Sequence, residues 1–578
     1  MRASTCWSNR RPRRVAPACA LLLVTASLAA PGHARAAVSV TGFGVQPSDT
    51  QAAGHPSVAI STSFAIDPPS DALKSLTVVL PQGLTGNPTA ADACTQSDFA
   101  ADACPAGSKV GTSQTAVTVA TGAGDVPQTA PGDVYNLRPT GAEPARLGLV
   151  VRPSAVGPVG LPKLFLQSPV TIGPQTNYGL STTFDNIPRS AGPFAIRVGA
   201  ITLDLAQSAA HGPFLTNPTS CAAGVATATA TSYDAPGTST RTGPFTASGC
   251  GALAFAPVLG ASVAGPGQTA EGAHPALASA IAFEAGQANV RRLEVVLPRS
   301  LSTSVGQVDR ACDRDLLATG GCPPGATVGS AVVASPLLPA ELSAPVVLTR
   351  SPTSGLPALS VRFGGSVPLQ LDGQTGFAGS LLTTTFDGLP DLPVSRFSLA
   401  IAGGPDGLLT NTADLCSKTA KTELKVELAA HSGRNTTLRT PLAVLGCPGG
   451  GSARSHASLA FRVVRGRGTL SARLSPPRSA PGLRRATVTL PRGLRANLGH
   501  LRVTAGGDAL ARGRLRLRGR TLDIRPAGTG AGPLRLRWTH IRVSAAVRRS
   551  PRRRARLRFT VRLTDLLDRT TVAGITPR

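Results

Sequence analysis

The chain has 578 residues, 42% hydrophobic and only 4% aromatic, with a formal charge of +28. Its 63 Gly and 50 Pro fall short of the share typical of low-complexity disorder, so a globular, turn-rich protein is expected. The length favours three or four domains, and the scarcity of Trp and Tyr argues against sugar stacking on aromatic platforms.

From the N-terminus, Arg10, Arg11, Arg13 and Arg14 precede an apolar stretch over residues 15–30, and Ala34-Arg35-Ala36 offers a small-x-small cleavage site. Residues 1–36 are therefore predicted to be an export signal. Arg10-Arg11 leaves a twin-arginine route open, although the following residues match that motif poorly. Cys19 lies near the front of the apolar run, whereas a lipidated cysteine would follow it. No later stretch reaches the ~18 apolar residues of a membrane span. The mature chain is expected to be released or held non-covalently, in the extracellular space or at the cell envelope.

A sequence block then recurs. LTVVLPQGL at 76–84 returns as LEVVLPRSL at 293–301 and as ATVTLPRGL at 486–494. Cys94 and Cys104-Pro105 return as Cys312 and Cys322-Pro323. The TTFD element ending at Asp185 returns ending at Asp387, and Leu215-Thr216-Asn217 before Cys221 returns as Leu409-Thr410-Asn411 before Cys416. Gly249-Cys250 returns as Gly446-Cys447. A period of roughly 200 residues fits tandem domains and is too long for a solenoid. We place one repeat at 37–252, a second at 253–449 and a third unit at 450–578.

Four cysteines per repeat allow three pairings. The duplicated spacing favours adjacent partners: Cys94 with Cys104, Cys221 with Cys250, Cys312 with Cys322, and Cys416 with Cys447. Matched even sets in an exported chain point to disulfides rather than metal or catalysis. A short helix is expected between the close cysteines, with Thr95 to Asp98 as a capping box, Phe99 turned inward, and Asp313 as the cap in the second copy.

Short apolar or alternating segments bounded by Gly and Pro predict an all-β fold of tandem, Ig-like β-sandwich domains. The charge is confined to the end: residues 451–578 hold 30 Arg, no Lys and 4 Asp, whereas residues 37–450 hold 22 basic and 26 acidic residues. Leu515, Leu517, Leu522 and Ile524 flank a turn at Arg518-Gly519-Arg520. Leu534, Leu536 and Trp538 share one face and Ile541 resumes out of phase, which predicts a β-bulge near Thr539-His540 with Trp538 in the core. Leu557, Phe559, Val561 and Leu563 alternate with arginines. The candidate polyanion-binding residues are Arg514, Arg516, Arg518, Arg535, Arg537, Arg556, Arg558 and Arg562, because like charges on paired strands cost energy unless an anion bridges them.

The pattern Leu80-Pro81, Cys94, Cys104-Pro105, Val110-Gly111, Thr216-Asn217-Pro218-Thr219, Cys221 and Gly249-Cys250 resembles a family of exported multi-repeat proteins of high-GC actinobacteria. Residues 559–565 resemble the last strand of bacterial Ig-like domains. The resemblance implies location and architecture, and no catalytic residues.

No GxSxG, HExxH or P-loop lysine motif is present, and no His stands at metal-ligand spacing to another His or to Cys. His55, His274 and His456 precede strands at equivalent places and read as turn histidines bonding backbone. Asp185 and Asp387 read as Asx-turn residues rather than calcium ligands. No cofactor is expected. The sequence thus points to a non-catalytic, exported surface or envelope-associated protein, whose cationic C-terminal domain binds an anionic envelope polymer or membrane surface. The protein or glycan ligand of the repeats stays unassigned. The alternatives are an exported carbohydrate-active or hydrolytic enzyme and an extracellular nucleic-acid binder. Nucleic acid ranks lower as partner because an exported chain meets envelope polymers first and no recognition helix is present.

Overall fold

The computed structural model describes residues 37–351, 356–447, 456–475, 482–505, 508–526 and 533–576. The predicted signal at 1–36 and the Gly449-Gly450-Gly451 linker lie outside the described residues. The fold is all-β. In the first repeat one antiparallel sheet runs in the order Val38–Pro47, Val58–Ile66, Phe194–Leu205, Lys109–Thr121, Gly124–Leu137, Ala145–Val151, Leu164–Thr171, Ser181–Phe184, Leu73–Val79, Gly224–Ser232, Thr238–Phe245. The second repeat reproduces this path: Val258–Val263, Leu277–Ala282, Arg396–Ile401, Thr327–Ala334, Leu342–Arg350, Pro357–Phe363, Leu369–Ala378, Leu381–Phe386, Val290–Val296, Glu423–Ala430, Asn435–Pro441. The duplication read from short motifs therefore extends to every strand on the path.

In each repeat the two end strands lie against one another, and in the first the Val40 amide donates to Ser239 Oγ at 2.9 Å. The sheet is thus rolled into a sandwich whose layers are continuous. Its strands obey the two-residue period of side chains on a pleated sheet. In Gly224–Ser232, Ala226, Ala228 and Ala230 are 0% exposed, while Thr227, Thr229 and Thr231 between them are half-buried.

The recurring LPxGL element is a turn that returns a leucine to the core. The amide of Leu84 donates to the Pro81 carbonyl, Leu301 to Pro298 and Leu494 to Pro491. Gly83 and Gly493 take φ +88° and +90°, a conformation costly for a side chain. Ser300 occupies that place in the second copy and closes the same bond without a positive φ.

Four disulfides join Cys94 to Cys104, Cys221 to Cys250, Cys312 to Cys322 and Cys416 to Cys447. Within the first lies the helix Gln96–Ala100, capped as expected: Thr95 Oγ1 accepts from the Asp98 amide at 3.1 Å. Phe99 is 1% exposed and packs edge-on against Tyr135 and Phe165. It fits only because residue 148 is glycine, where a Cβ would stand 2.5 Å from the Phe99 ring. Gly148→Ala is therefore expected to cost about 1–3 kcal/mol through overpacking. Gly122→Ala, with nothing within 4 Å, should leave the melting temperature unchanged. Equal melting of both variants would refute this account. In the second repeat Asp313 stands at the N-cap of Arg314–Thr319 but makes no capping bond, and its carboxylate pairs with Arg350 at 3.0 Å instead.

The C-terminal unit packs a six-stranded sheet on a five-stranded one. The first runs His456–Val464, Arg467–Ser475, Leu534–Val543, Leu501–Ala505, Asp508–Ala509, with Leu494–Arg495 beside Leu534–Val543; the second runs Leu515–Arg518, Thr521–Ile524, Leu483–Thr489, Phe559–Asp565, Thr570–Ile575. Both contribute to one core around Trp538, which is 0% exposed and donates Nε1–H to the Asn497 carbonyl at 2.8 Å. The bulge lies where the alternation slips: Trp538 faces Leu470 and Ile541 faces Gly468, so Thr539 and His540 share Thr469. His540 takes φ +57° there.

Candidate functional site

The repeated polar motifs serve as structural clamps. His55 Nδ1 lies 3.0 Å from the Leu215 carbonyl, and His274 Nδ1 lies 2.8 Å from Leu409. Asn217 Nδ2 donates to the Asp49 and Gln51 carbonyls, and Asn411 Nδ2 repeats the pattern on Gln268 and Ala270. The Leu-Thr-Asn element thus ties the loop ahead of the second strand of each repeat. His456 is itself the first residue of its strand rather than preceding it. Asp185 and Asp387 accept the following amides at 2.8 and 2.9 Å in turns where Asn186 and Gly388 take positive φ. Among the described residues no group of three His, Cys, Asp or Glu is arranged to hold a metal, and no helix is long and apolar enough to cross a membrane.

Asp102 and Glu143 of the first repeat are engaged internally. Lys163 hydrogen-bonds Asp102 at 2.6 Å and, outweighing burial, holds its carboxyl below the usual range. Burial pushes Glu143 upward, but the Thr140 amide, its own amide and Arg146 overcome this and hold it at about 2. Both carboxylates stay ionised and paired near neutrality, which suits a scaffold better than proton transfer.

The unpaired charge gathers in the C-terminal sandwich, on two opposite faces. On the outer face of the six-stranded sheet, Arg535 stands opposite Arg473, Arg537 opposite Arg502, and Arg542 opposite both Arg467 and Arg495. All seven are exposed, because their neighbours Leu534, Leu536, Trp538, Leu474 and Val503 turn inward. None of the seven forms an ion pair with a described residue. Three of the domain's carboxylates are committed elsewhere: Asp523 to Arg485 in a two-bond fork at 2.8 Å, Asp565 to Arg569 at 2.7 Å, and Asp568 to Arg484 and Arg396.

Of the eight arginines singled out from sequence, only Arg535 and Arg537 belong to this face. Arg516, Arg518 and Arg562 are exposed on the five-stranded sheet, where Arg516 stands opposite Asp523 and Arg562 opposite Thr487. Arg556 follows the short helix Pro551–Ala555, and Arg558 immediately precedes the strand Phe559–Asp565. Arg514 is bonded to Glu284 of the second repeat at 2.6 Å. Arg467, Arg473, Arg495, Arg502 and Arg542 escaped the sequence reading. Arg473, Arg495, Arg502 and Arg542 also sit between buried or half-buried neighbours and Arg467 between two glycines, but only the non-local strand order places them side by side.

No family model matches the sequence, nor does any curated protein. Solved structures that overlap with it include the N-terminal domain of the Streptococcus gordonii adhesin Sgo0707, at 9% identity over 87% of this chain and 95% of that one, with a TM-score of 0.18. The collagen-binding domain of Erysipelothrix rhusiopathiae surface protein RspB overlaps at 12% identity over 55% and 91%, with a TM-score of 0.16. The Enterococcus faecalis MSCRAMM ACE overlaps at 8% identity over 53% and 88%, with a TM-score of 0.17. Overlaps at these scores carry no argument about ligand or role.

Proposed function

We propose that the chain is an exported, non-catalytic envelope-associated protein whose C-terminal sandwich docks on an anionic polymer. The observation that carries this reading is arginine set opposite arginine across neighbouring strands, with no described carboxylate paired to them. Such rows are destabilising alone and become favourable when a polyphosphate or polycarboxylate bridges them. The adjoining rolled repeats, stapled by disulfides and closed by internal clamps, serve as the projecting scaffold.

The test is retention of the chain from residue 37 onward on immobilised poly(glycerol phosphate), with a neutral glucan and duplex DNA alongside. Binding should be strong at low salt and vanish toward 1 M, where charges are screened within about 3 Å. Salt-insensitive retention, or equal retention on the glucan, would sink the proposal. Tighter binding to DNA than to the phosphate polymer would move it to the nucleic-acid reading.

A further inference from the structure

The two repeats share an apolar cavity of about 300 Å³, running from Leu203 and Val78 inside the first rolled sheet to Leu371 and Leu428 inside the second. Its wall is overwhelmingly aliphatic. Leu203 and Leu371 keep 6% and 8% of their surface accessible although they lie inside the rolled sheets. A dry void forfeits dispersion contacts along its lining. Water would find few partners there, because an internal water needs about 2–4 hydrogen bonds.

The mouth has a different chemistry. Loop residues Phe283, Leu337 and Leu392 line it and are only half-buried. Beside them Glu284, which also lines the cavity, meets Arg514 of the C-terminal sandwich, the two side chains being 29% and 33% exposed. We propose that the cavity binds one long alkyl chain of an anionic amphiphile, with its carboxylate or phosphate head taking the place of Glu284 on Arg514. The tail replaces the missing dispersion partners, and its extended shape suits a void that continues across the junction. The site is independent of the outer arginine face, so loss of polymer binding in variants of that face leaves it standing.

The experiment uses the chain from residue 37, stripped of lipid on a hydrophobic matrix, and titrates saturated fatty acids of eight to eighteen carbons by calorimetry. Affinity should rise by up to about fourfold per added methylene, the factor for burying one CH₂, until the tail crosses the junction. Arg514→Gln should weaken fatty acids about tenfold and leave alkanols of equal length unchanged, since only the ionised head loses a charge-assisted bond. Lysophosphatidylglycerol, titrated in parallel, shows by its rank against the acid of equal length which head is preferred. Leu371→Trp should abolish binding while the melting temperature holds. Affinity that is flat from eight carbons upward, or unchanged in Leu371→Trp, would overturn the proposal. The chain-length series on the unaltered protein decides the matter even if that variant does not fold.

Discussion

Replacing Arg473, Arg502, Arg535 and Arg537 together by glutamine is expected to weaken binding to a phosphate polymer by more than about a hundredfold near physiological salt. Each phosphate contact on a nucleic-acid-like polyanion contributes roughly 0.7–0.9 to the slope of log affinity against log salt. Losing up to four contacts should flatten that slope by about 3. The fold should persist, because the inward neighbours Leu474, Val503, Leu534, Leu536 and Trp538 are untouched and are all buried. Stability should even rise slightly, since Arg473–Arg535 and Arg502–Arg537 are direct like-charge cross-strand pairs. Arg516, Arg518 and Arg562, changed in the same way on the opposite sheet, should matter far less, because Asp523 stands within that face. Salt titrations of the two triple and quadruple variants separate the faces. Equal losses from both would mean that the domain's overall field attracts the polymer and that no face is specific.

What was legible in the sequence follows from local rules. The slip after Trp538 located the bulge, because a strand cannot shift its buried set by one residue without an unpaired insertion. The Thr95 cap and the turns at Asp185 and Asp387 depend on side chains reaching backbone a few residues away. The sides of the arginine lattice were beyond reach for the same reason. Arg535 and Arg562 alternate with apolar residues in equivalent fashion, yet Leu534–Val543 pairs with Arg467–Ser475 while Phe559–Asp565 pairs with Leu483–Thr489. Alternation says inward or outward and leaves the sheet undetermined. The cavity shared by the repeats was hidden likewise, since the pattern of Val and Leu is the same whether or not a void remains beside them.

One residue that bonds across the two repeats lies outside the shared motifs. At the place where the first copy has Arg189 after TTFDNIP, the second has Asp391, and a search for shared residues passes over it. Asp391 is 1% exposed, forms no ion pair with a described residue, and accepts from neutral donors. Oδ2 accepts from the amides of Thr219 and Ser220 at 2.8 and 3.0 Å, and Oδ1 accepts from Thr219 Oγ1 at 2.6 Å and Asn289 Nδ2 at 2.8 Å. The LPQGL turn makes room for it, since a Cβ at Gly83 would lie 2.6 Å from Oδ2. Asp391→Ala leaves the two Thr219 donors buried without an acceptor, at about 1–3 kcal/mol for each, while those of Ser220 and Asn289 are half-buried and cost less. Relief from burying a lone charge offsets part of this, so a net loss of about 3 kcal/mol is expected. Asp391→Asn should lose less, because its carbonyl oxygen can still accept from the Thr219 and Ser220 amides, and only its NH₂ against the donating Asn289 Nδ2 is mismatched. With Asp391→Ala the repeats should then melt separately in calorimetry of the chain from residue 37, whereas one shared transition is expected of the unaltered protein. Asp387→Ala removes an exposed turn bond to Gly388 and an exposed ion pair with Arg291, and should stay within about 1 kcal/mol of the parent. A shared transition at unchanged temperature in Asp391→Ala would show that this carboxylate does not couple the repeats, and that their apolar contacts and the bonds of Arg434 to the Gly251 carbonyl hold the junction without it.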